Sequence, residues 1–286
     1  MSLSSIQLDA FLAVARERSF SRAAVKLHIT QSALSQRVLN LEKSLGATLF
    51  IREPMAVRLT ELGVKFLRFC QTKESLELEF IADIQSGKED QLVGVLRVMG
   101  FSTITKSILL PVIGGFARKN PAVQLEIKSY QLRELPQQLE SGQADFIFIT
   151  HPLEKQGIEN VLLGYEENVL IQSSINKVAE HVYLDHDEDD VTTQAFFNIQ
   201  SKSPRKWQRN YLGEIYLIVE GVIEGMGRAT IPLHIAENLK GIEVVSGYKP
   251  LKTPVYLAYY NQKFYTRLHQ AIVKLLKEKV PAYLTK

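Results

Sequence analysis

Apolar residues recur at three- and four-residue steps up to about residue 45 and again from 61 to about 86. Beyond Gln91 they gather instead into short runs bounded by turn residues. The first pattern predicts helices, and the second predicts strands alternating with helices. Ile6, Leu8, Phe11, Leu12 and Val14 mark a supporting helix. Residues 19–45 then predict a helix pair joined by a tight turn. Ala23, Ala24 and Leu27 line the inner face of the first helix, Leu34, Val38, Leu41 and Leu45 that of the second, and Ile29 fills the gap. Ser19 or Ser21 caps the first helix and Thr30 the second, because a side-chain oxygen there accepts from a backbone N–H that an opening helix leaves unpaired. Residues 50–60 predict a two-stranded wing with Arg52 and Arg58 at its edges, and Thr60 caps the helix that follows. Along that helix Leu62, Phe66, Phe69, Cys70, Leu76, Phe80, Ile81 and Ile84 form a stripe, interrupted at Lys73. A solitary surface helix cannot bury such a stripe against itself, so a partner helix is expected. Ser86-Gly-Lys-Glu-Asp reads as a linker.

The second pattern predicts strands over 92–99, 123–128 and 144–150, helices over 108–118, with Pro111 in its first turns, and 133–141, closed by Gly142. Residues 162–172 lead onward into a second lobe built from 182–198 and 214–232. A strand from Pro254 returns, and 264–279 forms a last amphipathic helix. Such alternation argues for a mostly parallel sheet with helices on both faces. Ligands in these sheets bind beyond the carboxyl ends of the strands, which places Ser102, Thr103, Thr105, Thr150 and His151 at one rim.

The predicted helix pair leaves Gln31, Ser32, Ser35, Gln36 and Arg37 facing outward at the start of its second helix. Short polar donors and acceptors beside a long cation are the set that reads base edges in a major groove while touching phosphates. Phe20-Ser-Arg-Ala-Ala-x-x-Leu, Thr30-Gln-Ser-Ala-Leu-Ser-Gln-Arg, Leu41-Glu-x-x-Leu-Gly-x-x-Leu-Phe and Leu59-Thr-x-x-Gly together resemble the DNA-binding end of LysR-type transcriptional regulators. Further on, Gly94-Val-Leu-Arg-Val, Leu110-Pro, Asp145 and Glu224-Gly-Met-Gly-Arg-Ala-Thr-Ile-Pro are similar to the effector half of that family.

The resemblance implies an α/β chain overall: a mostly helical winged helix-turn-helix over 1–60, a linker and dimerisation helix over 61–88, and a two-lobed α/β effector domain over 89–286. That domain resembles periplasmic solute-binding proteins, with lobe I at about 91–165 plus 254–286 and lobe II at about 166–253. It implies double-stranded DNA as partner, contacted by Ser21, Gln31, Ser32, Ser35, Gln36 and Arg37, with Arg52 and Arg58 on phosphate or the adjacent minor groove. It implies a homodimer through Leu62, Phe66, Phe69, Leu76 and Phe80, with a tetramer as the larger alternative. A small-molecule effector, an amino acid or small carboxylate, would sit between the lobes and shift the two reading heads. The Ser35-Gln-Arg order is similar to a branch of the family that senses basic amino acids. Two departures stand out. Counting back from Pro111, the serine or threonine that family members place after the first strand falls on Ile104, so Ser102 or Thr103 would take over. The distance from Trp207 to Glu224 looks short for the strand and helix expected there.

The net charge is only +3, but residues 1–73 hold 11 Lys/Arg against 5 Asp/Glu. That imbalance supplies the salt-dependent part of DNA affinity. One cysteine, Cys70, excludes an intrachain disulfide and reads as a buried thiol. No apolar run approaches the ~20 residues of a membrane span, and a cytoplasmic location is expected. The run His181-Val-Tyr-Leu-Asp-His-Asp-Glu-Asp-Asp suggests a metal site through His186 and Asp190, but it reads better as a solvated loop or helix start, and no metal or other cofactor is expected. No nucleophile elbow, P-loop or dinucleotide fingerprint is present, so an enzyme is not expected. Two alternatives remain: a regulator whose altered cleft takes no ligand, and an α/β enzyme or solute-binding protein carrying the N-terminal module as a tether.

Overall fold

A computed structural model describes residues 3–53, 56–86, 91–201, 204, 206–237, 239–262 and 264–285. Helices α1 (Ser5–Glu17), α2 (Phe20–Lys26) and α3 (Gln31–Leu45) close around Phe11, Ala23, Ala24, Leu34, Val38 and Leu41, all buried. Ser19 caps α2 by accepting from Arg22 N at 3.3 Å, and Thr30 caps α3 by accepting from Ala33 N at 3.2 Å. Of the two serines proposed for α2, Ser19 is therefore the cap. Ile6 and Leu45, predicted to face inward, are exposed because each lies at an outer end of its helix, beyond the apolar cluster. Strands β1 (Phe50–Glu53) and β2 (Ala56–Leu59) pair antiparallel as the wing, with Phe50 opposite Leu59. Glu42 accepts from Leu49 N and Phe50 N and so ties the wing root to α3.

Thr60 accepts from Gly63 N at 2.9 Å and opens α4 (Glu61–Ser86). This helix splits its apolar stripe. Leu67 and Cys70 turn into the helix-turn-helix core, and Phe66 meets Phe11 edge-on at 4.8 Å. Leu62, Phe69, Leu76, Phe80, Ile81 and Ile84 stay exposed. The predicted linker beyond Ser86 lies outside the described residues.

The rest of the chain is built on a seven-stranded sheet. Its strands are β3 (Gly94–Gly100), β4 (Val123–Ser129), β5 (Phe146–Ile149), β6 (Ile158–Ser173), β9 (Ala229–Pro232), β10 (Ile242–Val244) and β11 (Leu251–Tyr260). The order is β10-β6-β11-β5-β3-β4, with β9 also on β6. β3 runs parallel to β4 and β5, whereas β11 is antiparallel to both β5 and β6. The long strands β6 and β11 thus pass through both lobes. Lobe I packs Leu96, Val98, Phe146, Phe148, Leu257 and Ile272 between sheet and helices, and lobe II packs Val169, Ile171, Leu184, Ile218, Val222 and Ile231.

Several boundaries differ from those the sequence predicts. The helix expected from Ile108 begins at Ser102, as α5 (Ser102–Ile104), a π-helical turn (Thr105–Leu109) and α6 (Leu110–Lys119). Pro111 fits because it sits in the first turn of α6. α7 is confined to Leu135–Glu140 before Gly142 turns the chain at φ 70°. The second lobe is not truncated. β7 (Val182–Asp185) and α8 (Thr192–Asn198) precede β8 (Gln208–Tyr211) and α9 (Ile215–Ile223), so strand and helix both fit between Trp207 and Glu224. Their economy comes from short turns: Glu214 caps α9 three residues after β8 ends. α10 (Leu233–Ala236) follows β9, and α11 (Arg267–Lys279) starts after its cap, Thr266, rather than at Phe264.

Candidate functional site

The first site is the outer face of the helix pair. Gln31, Ser32 and Gln36 are exposed and Ser35 and Arg37 half-exposed, all on α3 and opposite its buried Leu34, Val38 and Leu41. Ser21 donates to Gln31 Oε1 at 3.0 Å, which joins the first turns of α2 and α3 into one polar surface. Gln36 is braced by Asn40 Oδ1 at 2.8 Å, and Ser32 lies 3.1 Å from Thr30 Oγ1. On the wing, the Arg52 guanidinium lies 4.2 Å above the Phe20 ring and Arg58 faces Glu53 at 3.7 Å. These are weak, exposed tethers that a phosphate can replace.

The second site is the junction of the lobes. Glu166, at the middle of β6, is 4% exposed. Its Oε1 accepts from Thr103 Oγ1 at 3.0 Å and contacts His234 Nε2 at 2.8 Å. Thr103 belongs to lobe I and His234 follows β9 in lobe II, so this carboxylate links both lobes to the crossing strand. One turn after Thr103, the Lys106 ammonium lies 3.2 Å from the centre of the Tyr216 ring in the first turn of α9. At the mouth, the Gln131 amide donates to His186 Nε2 at 3.1 Å, and Arg133 pairs with Asp189 at 3.2 Å.

The rim residues expected from sequence divide. Thr103 reaches the junction. Thr105 is buried and its hydroxyl donates to Phe101 O at 3.0 Å, one turn back on its own helix. Ile104 is fully buried. Ser102 is half-exposed at the helix start. Thr150 and the exposed His151 bond to each other at 3.0 Å and to none of Glu166, Thr103 or His234. Sequence reasoning missed Glu166, His234, Lys106 and Tyr216. The signal was weak, since Glu166 is one of several polar residues along β6, with Glu159, Asn160, Glu167 and Asn168 among them.

The acidic run after β7 is organised around a guanidinium. Arg209 on β8 donates to the Asp185 carboxylate, which is almost fully buried, and to the carbonyls of Asp187 and Asp190. His186 and Asp190 are joined through a loop, Asp190 accepting from His186 N at 3.1 Å, and not through a helix face. Among the described residues no group of three or more His, Cys, Asp or Glu is placed to hold a metal ion, and no helix is long and apolar enough to cross a membrane.

The third site is where α4 meets lobe I. Arg68, buried, donates to Leu139 O and to Ala144 O, faces Asp145 at 3.8 Å and lies 4.7 Å over the Tyr260 ring. Burial pulls its pKa below the usual arginine value, against the opposing pull of Asp145. Asp145 is also held by Arg97, through the backbone N–H at 2.9 Å and the guanidinium at 3.7 Å. Gln71 donates to Gly142 O and Arg267 grips Asp83, so the helix is attached along most of its length.

A winged helix-turn-helix with a polar outer face, attached by a long helix to two lobes joined by crossing strands, is the architecture of a DNA-binding regulator with a sensor domain. Residues 6–64 match the bacterial regulatory helix-turn-helix protein, lysR family, and residues 89–281 match the LysR substrate binding domain. The chain belongs to the LysR family of transcriptional regulators. Among curated relatives, the HTH-type transcriptional regulator ShiR of Corynebacterium glutamicum is 33% identical over 183 residues, covering 62% of this chain and 60% of ShiR. Among solved structures, ArgP from Mycobacterium tuberculosis has a TM-score of 0.75 at 20% identity, covering 100% of this chain and 99% of its own. Full-length LysG from Corynebacterium glutamicum with bound effector Arg has a TM-score of 0.73 at 20% identity, covering 99% and 100%. These two likenesses establish the fold.

Proposed function

We propose that the protein acts as a cytoplasmic, non-enzymatic transcription regulator that binds double-stranded DNA as a homodimer. Its parts are residues 1–60 for reading, 61–88 for linking and dimerisation, and 89–286 for sensing. Lobe I is 91–165 plus 254–286 and lobe II is 166–253. The observation that carries this reading is the α3 face. Gln31, Ser32, Ser35, Gln36 and Arg37 share it, Ser21 is bonded to it, and Arg52 and Arg58 stand on the wing beside it. Replacing Gln31 and Arg37 by alanine is expected to weaken DNA binding by about 1–3 kcal/mol for each side chain that reads a base. Unchanged affinity and selectivity in a mobility-shift assay, with the fold intact, would remove α3 from the recognition role.

Exposed Leu62, Phe69, Leu76 and Phe80, at heptad-like spacing on α4, support pairing with a second copy of the same helix. Phe66 contributes less, since its ring already packs on Phe11. Replacing Phe69 and Phe80 by aspartate is expected to give monomers in sedimentation velocity; dimers that persist would place the interface elsewhere, and tetramers in the parent would show a second one. The junction between the lobes supports an amino acid or small carboxylate as effector, held near Thr103 and Ser102. LysG was solved with arginine bound, and the Ser35-Gln-Arg order points the same way. The effector shifts the reading heads only if it binds one arrangement more tightly than the other.

A further inference from the structure

Glu166 is a buried carboxylate with half of its hydrogen-bonding capacity in use. Thr103 and His234 both meet Oε1. Among the described residues no donor reaches Oε2, and no lysine or arginine comes within ion-pair range of this side chain. Removing a carboxylate from water is costly unless an opposite charge and several donors compensate, and here the protein supplies a hydroxyl and an imidazole. The two contacts fix the carboxylate from opposite lobes. One turn from Thr103, the Lys106 ammonium lies on the face of Tyr216 at 3.2 Å and bridges lobe I to α9 a second time.

Resting on the cleft as the effector site, we propose that the effector carries a cationic amino or guanidino group and that this group docks on Oε2 of Glu166. The ligand then supplies a charged donor to the oxygen that Thr103 and His234 leave open, and those two residues orient the carboxylate toward it. A donor of this kind forms a charge-assisted hydrogen bond in a water-poor site, where it discriminates strongly against a neutral isostere. Closure follows from the same geometry, because Thr103 and His234 can hold Glu166 together only when the two lobes are close.

The test is isothermal titration calorimetry of the full chain with L-arginine, L-lysine and agmatine against L-citrulline, L-norleucine and L-glutamate. At least one cationic compound is expected to bind at least about tenfold more tightly than the neutral and acidic ones. In Glu166→Gln that preference is expected to vanish, and Thr103→Val is expected to weaken it less. Equal binding of citrulline and arginine, undiminished cation binding in a folded Glu166→Gln, or no binding of any cation would overturn the proposal. If Glu166→Gln fails to fold, the selectivity of the parent decides. Selection of bound sequences from a random double-stranded DNA pool separates the two readings. A chain that binds DNA but ignores every cation refutes this inference alone, whereas one that binds no DNA refutes the regulator reading.

Discussion

Arg68→Ala tests how α4 is fixed to lobe I. The substitution removes the donors to Leu139 O and Ala144 O, the charge 3.8 Å from Asp145 and the stacking over Tyr260. Removing one member of a buried pair costs ~3–5 kcal/mol when the other is left uncompensated. Asp145 is not left so, because Arg97 still holds it by its N–H at 2.9 Å and its guanidinium at 3.7 Å. Leu139 O likewise keeps the Gly142 N–H at 3.2 Å. The expected loss therefore falls toward the lower end, about 3 kcal/mol. Arg68→Met retains the stem packing and should lose less. Urea unfolding followed by circular dichroism measures the difference, and hydrogen exchange shows where it acts. Amides near Leu139–Ala144 and along the first half of α4 should lose protection, while those of α2 and α3 should not. A loss below ~0.5 kcal/mol, the size of an ordinary surface substitution, would refute the view that Arg68 anchors the helix.

Two further outcomes follow from ionisable groups. Cys70 lies in the helix-turn-helix core and burial pushes its thiol up to about 12, so it should resist a thiol-specific reagent until the protein unfolds; rapid labelling of the native chain would contradict that environment. His269 stacks on Tyr265 at 4.5 Å and near Phe146 at 4.7 Å, and burial lowers its pKa from 6.5 to about 4. Its unfolded state therefore binds the proton first. Stability is intact above pH 6.5 and declines as pH falls toward 4, by up to about 3 kcal/mol in all. His269→Phe should flatten that part of the stability profile, and an equally steep profile in the variant would assign the acid sensitivity to other groups.

Local pattern carried a good deal of this protein. The helix pair, its caps at Ser19 or Ser21 and Thr30, the wing and the long helix were legible because each is stabilised by residues only three or four positions apart, or by a tight turn. The strand and helix alternation likewise gave the two-lobed α/β plan. Boundaries were less legible. The helix from Ser102 begins well before Pro111, since proline marks a permitted first turn of α6 without revealing the turns before it.

The amino-acid order alone determined the helix-turn-helix, the family and which chain faces are apolar, for these follow from periodicity and contiguous motifs. Tertiary structure decided which apolar residues of α4 the chain uses for itself, turning Leu67 and Cys70 inward and leaving Phe69 and Phe80 outside. It also decided the chemistry of the cleft. Thr103 and His234 stand 63 and 68 positions from Glu166, and no spacing rule joins them. The acidic run that looked like a metal site closes on Arg209, which lies 24 residues beyond Asp185. Charges find such partners only when β6 carries Glu166 between the lobes and β7 lies beside β8, so their meaning belongs to strand pairing and not to sequence neighbourhood.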